Sequence, residues 1–308
     1  MRSRAGRQPV GPLPHPVPYT IKTGWTGTMA FSDFILRTSE HLTPFRSLTW
    51  LCGKLGDAKM GALTRSLIRC FISAYKINLA ECADPVAEHY ECFNDFFTRA
   101  LKKDVRPLAS DCLAVSPVDG TVTQAGDILA GRLIQAKGID YSLRSLLGGD
   151  KNDSALFEGG HFASLYLSPH DYHRVHMPLD GTMVKTVHIP GRLFPVGRRT
   201  QKSIPGLYTK NERLVCIFGT DFGPFAVIMV GAALVGSIHT SWAGTLSRCV
   251  NIDIKYYDPE QLSFHKGDEL GWFRYGSTVI CLWSETTGRP AETITPGTPV
   301  KMGEALSR

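Results

Sequence analysis

Leu270-Gly271-Trp272-Phe273-Arg274-Tyr275-Gly276-Ser277-Thr278-Val279-Ile280-Cys281-Leu282-Trp283 reads as a buried β-strand, rich in aromatic and β-branched residues, except at its centre. There Gly276, Ser277 and Thr278 put a flexible joint and two hydroxyls into an apolar run. An isolated glycine in a strand ordinarily marks a bulge or bend. It also tolerates backbone geometry closed to other residues, and Ser277 follows it with a potential nucleophile. The ordinary reading holds unless the chain supplies partners for that hydroxyl.

Strand texture extends on both sides of this run. From about Cys112 the chain alternates short apolar segments with Gly and Pro: Leu113 to Val118, Thr121 to Gln124, Phe162 to Leu167, Met183 to Ile189, Leu214 to Phe218 and Phe225 to Ile238. Before it the pattern is helical. Leu63, Leu67, Ile68, Phe71, Ile72 and Tyr75 recur at helical spacing within Met60 to Lys76, flanked by Lys59, Arg65, Arg69 and Lys76, and Glu88 to Ala100 carries three phenylalanines. The expected fold is α+β: a helical N-terminal portion packed on a large, mainly antiparallel β core. Two pieces, Ser116 to Val122 and Thr295 to Glu304, resemble turns of biotinyl and lipoyl carrier domains and suggest a barrel-sandwich arrangement. The carrier lysine at a hairpin tip is missing, so a binding module is the weaker functional reading.

Composition narrows the classes. A chain of 308 residues, 43% apolar, has the means to build a sizeable core. Of its net charge of +6, four units come from Arg2, Arg4, Arg7 and Lys22 in an acid-free segment, leaving +2, which is no nucleic-acid signature. Eight cysteines without a CxxC pair fit reduced thiols. No apolar run reaches the ~18–20 residues that span a bilayer. Residues 1–28 are basic and hold five prolines, which argues against a targeting helix and for a disordered extension, with Met29 a second candidate start. Residues 29–110 form the expected helical portion and 111–308 the β-rich one.

The densest chemistry is Ser168-Pro169-His170-Asp171-Tyr172-His173-Arg174-Val175-His176-Met177-Pro178. On a helix the three histidines would share a face and suggest a metal, but the bracketing prolines favour an extended run that divides them, so no metal is expected. Asp119, in Val118-Asp119-Gly120, is an ordinary turn residue unless it orients a histidine. A carboxylate, Asp119, a base, His173 or His176, and a hydroxyl, Ser277, together make the standard arrangement for activating an alcohol. A serine hydrolase would use the same three types with its chain intact.

Three stretches taken together, Ser116 to Gly120, Tyr166 to Pro178 and Gly276 to Ile280, resemble the phosphatidylserine decarboxylase family in order and spacing. The connecting pieces Phe93 to Phe97, Gln135 to Gly138, Asn211 to Arg213, Val230 to Ala232, Val235 to Ile238 and Trp242 to Thr245 do the same, so the similarity runs from about Met29 to the C-terminus. The resemblance implies a proenzyme cut between Gly276 and Ser277 by a triad of Asp119, His176 and Ser277. Ser277 then becomes a covalent pyruvoyl group, the cofactor, which forms a Schiff base with phosphatidylserine. His173 matches a position tied to decarboxylation and reprotonation. It further implies a heterodimer of a large chain, 1–276, and a small chain, 277–308, with a higher oligomer left open, and a peripheral place on the cytoplasmic face of an anionic cell membrane. With a lipid substrate, the Met60 to Lys76 helix becomes the expected membrane contact. Tyr275 departs from the aliphatic residue common before the glycine.

Overall fold

The computed structural model describes residues 53–136, 138–232, 238–247, 249–258, 260–274 and 277–307. The expected extension 1–28 and Gly276 with Tyr275 lie outside the described residues. Six helices are used below: α1 (Ala62–Tyr75), α2 (Phe93–Phe97), α3 (Leu143–Leu146), α4 (Lys151–Ala155), α5 (Arg198–Ser203) and α6 (Leu207–Lys210). The strands are β1 (Gly120–Asp127), β2 (Arg132–Ala136), β3 (Ile139–Ser142), β4 (His161–Leu167), β5 (Arg174–His176), β6 (Gly181–Ile189), β7 (Arg213–Thr220), β8 (Gly223–Val230), β9 (Ile238–Thr240), β10 (Gly244–Thr245), β11 (Asp253–Tyr256), β12 (Ser263–Phe264), β13 (Glu269–Phe273), β14 (Ser277–Trp283) and β15 (Pro299–Val300).

The fold is α+β, with antiparallel sheets. The large sheet runs β11-β6-β7-β8-β14-β4-β1-β15, with β12 beside β6; a smaller sheet runs β10-β9-β13-β5. The run Leu270 to Trp283, expected as one interrupted strand, is therefore two strands in two sheets. β13 pairs with β5 and β9, and β14 with β4 and β8. Ser277 is the first residue after the crossing. All seven residues of β14 are buried, because this strand sits in the middle of the large sheet with side chains packed on both faces.

The two carrier-like pieces lie side by side. Gly120 pairs with Val300, Val122 donates to the Thr298 carbonyl (2.9 Å), and Gly303 donates to the Ser116 carbonyl (3.0 Å). Leu113 to Val118, expected as a strand, forms only an isolated bridge, Val115 to Ala305. Its amides go instead to Pro178, Glu304 and the Ser307 hydroxyl, so no ladder grows. Asp119-Gly120 is not a free turn but the entry to β1. A Cβ at residue 120 would stand 2.5 Å from the Tyr166 carbonyl oxygen, so only glycine lets β1 approach β4 this closely.

The helical part has its own small core of Ile68, Ala87, Phe93, Phe96 and Phe97. In α1 the apolar stripe divides: Ile68 is buried, while Leu63 and Leu67 remain 62% and 47% exposed. The expected Glu88 to Ala100 helix shortens to α2, because Cys92 adopts extended geometry and its Sγ accepts from the Asp95 amide, starting the helix late. This part is tied to the histidine segment: Arg174 Nε donates to the Thr98 carbonyl (3.0 Å), and the Phe97 ring lies 4.2 Å, centroid to centroid, from that of His173.

Candidate active site

Ser168 to Asp171 forms a tight turn. The Asp171 amide donates to the Ser168 carbonyl (2.9 Å), and the Ser168 amide donates to the Asp171 carboxylate (2.7 Å). This breaks the helical spacing of the three histidines. His170 is left half exposed, and among the described residues no three metal-ligating side chains converge. The chain leaves the turn through His173 and enters β5, where His176 stands opposite Glu269.

His173 is completely buried, and its Nδ1 lies 2.8 Å from the Asp171 carbonyl oxygen. A carbonyl only accepts, so Nδ1 carries the proton and Nε2 presents a bare lone pair. That Nε2 is buried without a hydrogen-bond partner. Burial pushes the His173 pKa down to about 3; the Asp171 carbonyl opposes this, and the charge of Arg99 adds to it. His176 has the same tautomer by the same logic: Nδ1 donates to the Gly267 carbonyl (2.8 Å), and Nε2 accepts from the Tyr172 hydroxyl (3.0 Å). Burial lowers its pKa too, against the Gly267 carbonyl and the negative charges of Glu269 and Asp119. Both rings are therefore neutral near pH 7, as a proton acceptor must be.

Asp119 holds a different set of partners. Its carboxylate receives Arg106 through Nε (3.0 Å) and Nη2 (2.6 Å), and accepts the Met302 amide (2.8 Å). Arg106 also binds Glu81 (2.7 Å). Burial opposes the Arg106 charge, but the two carboxylates more than offset it and raise its pKa. The tautomer of His176, the role expected of Asp119, is set here by Gly267, and Asp119 acts on the ring through space. Arg106, Tyr172 and the Gly267 carbonyl were not singled out from sequence. Tyr172 lay within the histidine motif, whereas nothing in the spacing of Arg106 or Gly267 points to their partners.

Ser277 is completely buried at the head of β14, opposite Leu167, and its Oγ has no hydrogen-bond partner. A buried hydroxyl without a partner costs roughly 1–3 kcal/mol, and the hydroxyls of Thr278 and Ser164 in the same sheet share this condition. Both histidines lie along the same side of β13, the strand that precedes Ser277, with His176 opposite Glu269 and the Phe273 amide donating to the His173 carbonyl (3.1 Å).

The depressed pKa of His173 has a consequence for stability. Above about pH 6.5 the ring is neutral folded and unfolded, and contributes no pH dependence. Below it the unfolded chain takes up a proton that the folded one refuses, so stability falls with falling pH. At pH 5.5 the expected loss from His173 is on the order of 1 kcal/mol. Urea titrations at pH 7.5 and 5.5 check this, and His173→Gln should flatten the difference by that amount.

A model of the family described as phosphatidylserine decarboxylase matches residues 93–308. The chain is 43% identical over 275 residues to the phosphatidylserine decarboxylase proenzyme of Pseudoalteromonas translucida (strain TAC 125), covering 87% of this chain and 96% of that one. It is 46% identical over 285 residues to the proenzyme of Bordetella avium (strain 197N), covering 91% and 96%. For that of Aliivibrio fischeri (strain ATCC 700601 / ES114) the figures are 46% over 278 residues, covering 88% and 97%. The matched region takes in Asp119, both buried histidines and Ser277, and the chain belongs to the phosphatidylserine decarboxylase family.

Proposed function

We propose that this decarboxylase is made as one chain that cuts itself between Gly276 and Ser277 and then converts phosphatidylserine to phosphatidylethanolamine and carbon dioxide. The observation that carries the reading is the partnerless, sealed Ser277 hydroxyl at the crossing between two sheets. A hydrolase nucleophile must be reached by a substrate, whereas a sealed hydroxyl always has the carbonyl of its own peptide bond at hand. That favours self-cleavage over the serine-hydrolase alternative.

In the proposed cut, His176 takes the Ser277 hydroxyl proton once the Tyr172 hydroxyl has turned off Nε2, and Asp119 stabilises the imidazolium through space. The oxygen bonds to the Gly276 carbonyl carbon as the peptide C–N bond breaks and His176 passes its proton to the departing Ser277 nitrogen, giving an ester and a free amine. Loss of the Ser277 α-proton then breaks the Cβ–O bond and frees Gly276 as a carboxylate. Water adds to the resulting dehydroalanine and ammonia leaves, so residue 277 ends as a ketone. That ketone supplies the electron sink that decarboxylation of an α-amino acid needs. The small chain 277–308 stays in place because β14 is held between β4 and β8 and β15 beside β1. Intact-mass measurement of the purified protein tests the reading: two chains are expected, the smaller starting at 277 and blocked to N-terminal sequencing.

Access to a bilayer substrate calls for a membrane contact. Among the described residues no helix is long and apolar enough to cross a membrane. The peripheral contact we propose is the exposed side of α1, where Leu63 and Leu67 face solvent beside Arg65, while Arg69 is engaged by Glu88. Replacing Leu63 and Leu67 with glutamate should weaken co-sedimentation with phosphatidylserine-containing vesicles by about tenfold or more. Unchanged sedimentation would refute the contact.

A further inference from the structure

A cavity of about 560 Å³ opens between the helical part and the large sheet. Tyr166 and Ala232 help to line it. Tyr166 pairs with Thr278 on one side of β14, and Val230, two residues before Ala232, pairs with Thr278 on the other. The cavity therefore lies over the end of β14 that begins with Ser277. Phe71, Phe93 and Phe97 make one wall apolar, and Phe97 is the ring that covers His173. Arg198 and Arg199, at the start of α5, contribute to the lining yet remain exposed, and neither enters an ion pair among the described residues. An apolar recess beside two guanidinium groups that have no ion-pair partner among the described residues fits an amphiphile with an anionic head.

We propose that Arg198 and Arg199 hold the phosphodiester of the lipid substrate while its acyl chains lie against the phenylalanine wall. The proposal rests on the decarboxylation reading for the identity of that lipid. The chemistry fixes the order of groups. The substrate amine must meet residue 277, and the carboxylate that leaves sits on the same carbon as the amine. The phosphate follows outward along the headgroup, and the chains lie beyond it. Planar guanidinium groups pair with two phosphate oxygens at once, which suits a phosphodiester better than a point charge does. The apolar wall excludes a free inorganic anion as the preferred occupant, because such an ion gains nothing from it.

The test uses the full chain carrying Ser277→Ala, so that neither processing nor turnover enters the measurement. Calorimetry with dihexanoyl phosphatidylserine should show Kd rising about tenfold or more when Arg198→Gln and Arg199→Gln are added, with Arg→Lys replacements recovering part of the loss. A neutral alkyl glycoside of matched chain length should bind both proteins equally, and inorganic phosphate should not displace the lipid at equal concentration. In the active chain the same pair of substitutions should lower kcat/KM about tenfold, carried by KM. Equal lipid binding by both proteins overturns the proposal, as does an equal loss for the neutral amphiphile, or displacement by inorganic phosphate. If the binding loss appears but the wild-type chain never divides, the subsite stands and the self-cleavage reading falls.

Discussion

Ser277→Ala leaves the protein a single chain of 308 residues and removes all decarboxylation, the largest effect expected of any single change. The substitution deletes one oxygen atom that is buried and without a hydrogen-bond partner, so it leaves no unpaired group behind. The folded state should be unharmed or slightly stabilised, since removing an unsatisfied buried polar atom removes its desolvation cost. A protein that melts no lower than wild type, stays whole by intact mass and turns over no phosphatidylserine is the expected result. It separates chemistry from folding, which Asp119 substitutions do not, because those take from the buried Arg106 guanidinium one of its two carboxylate partners. A Ser277→Ala protein that still arrives as two chains would sink the self-cleavage reading.

His173→Gln should divide the two activities that share this site. The cut needs a base at the Ser277 hydroxyl, assigned here to His176, so the variant should still yield chains 1–276 and 277–308. Turnover should fall by about 10²–10⁴, the usual contribution of a positioned acid or base. The argument rests on the ring itself: Nδ1–H is committed to the Asp171 carbonyl, and Nε2 is bare, buried and aligned by the Phe97 ring. Burial holds it neutral in the resting protein. A substrate carboxylate beside it would favour the charged form and so load the proton that must return to the carbon after carbon dioxide leaves. Failure of the variant to divide would reassign His173 to the cut, and undiminished turnover would remove it from the chemistry.

Much of the fold was legible because its signals are local. The β7 strand follows from its apolar run and α1 from its helical spacing, whereas the run Phe225 to Ile238, expected as one strand, supplies β8 only as far as Val230, and its last residue, Ile238, begins β9 in the smaller sheet. The site residues stood out as residue types in motifs: an aspartate before glycine, histidines three apart, a serine after glycine in an apolar run. What they touch was not legible. The ion pair of Asp119 with Arg106 joins residues 13 apart and the bond of His176 to Gly267 joins residues 91 apart, and no spacing rule connects either pair. The exposed half of the α1 stripe was also hidden, since Leu63 and Ile68 are equally apolar as letters and differ only in whether α2 lies over them.

The sequence by itself determined the α+β class, the order of its motifs and the identity of the groups able to do chemistry, because periodicity and residue chemistry are properties of neighbours along the chain. Only the tertiary structure decided that Leu270 to Trp283 is two strands divided between two sheets, with Ser277 sealed and partnerless just past the crossing. Sheet membership is settled by backbone hydrogen bonds to β4, β8, β5 and β9, contributed from more than 100 residues away in the case of β4. A local pattern of apolar residues is the same whichever sheet supplies those partners.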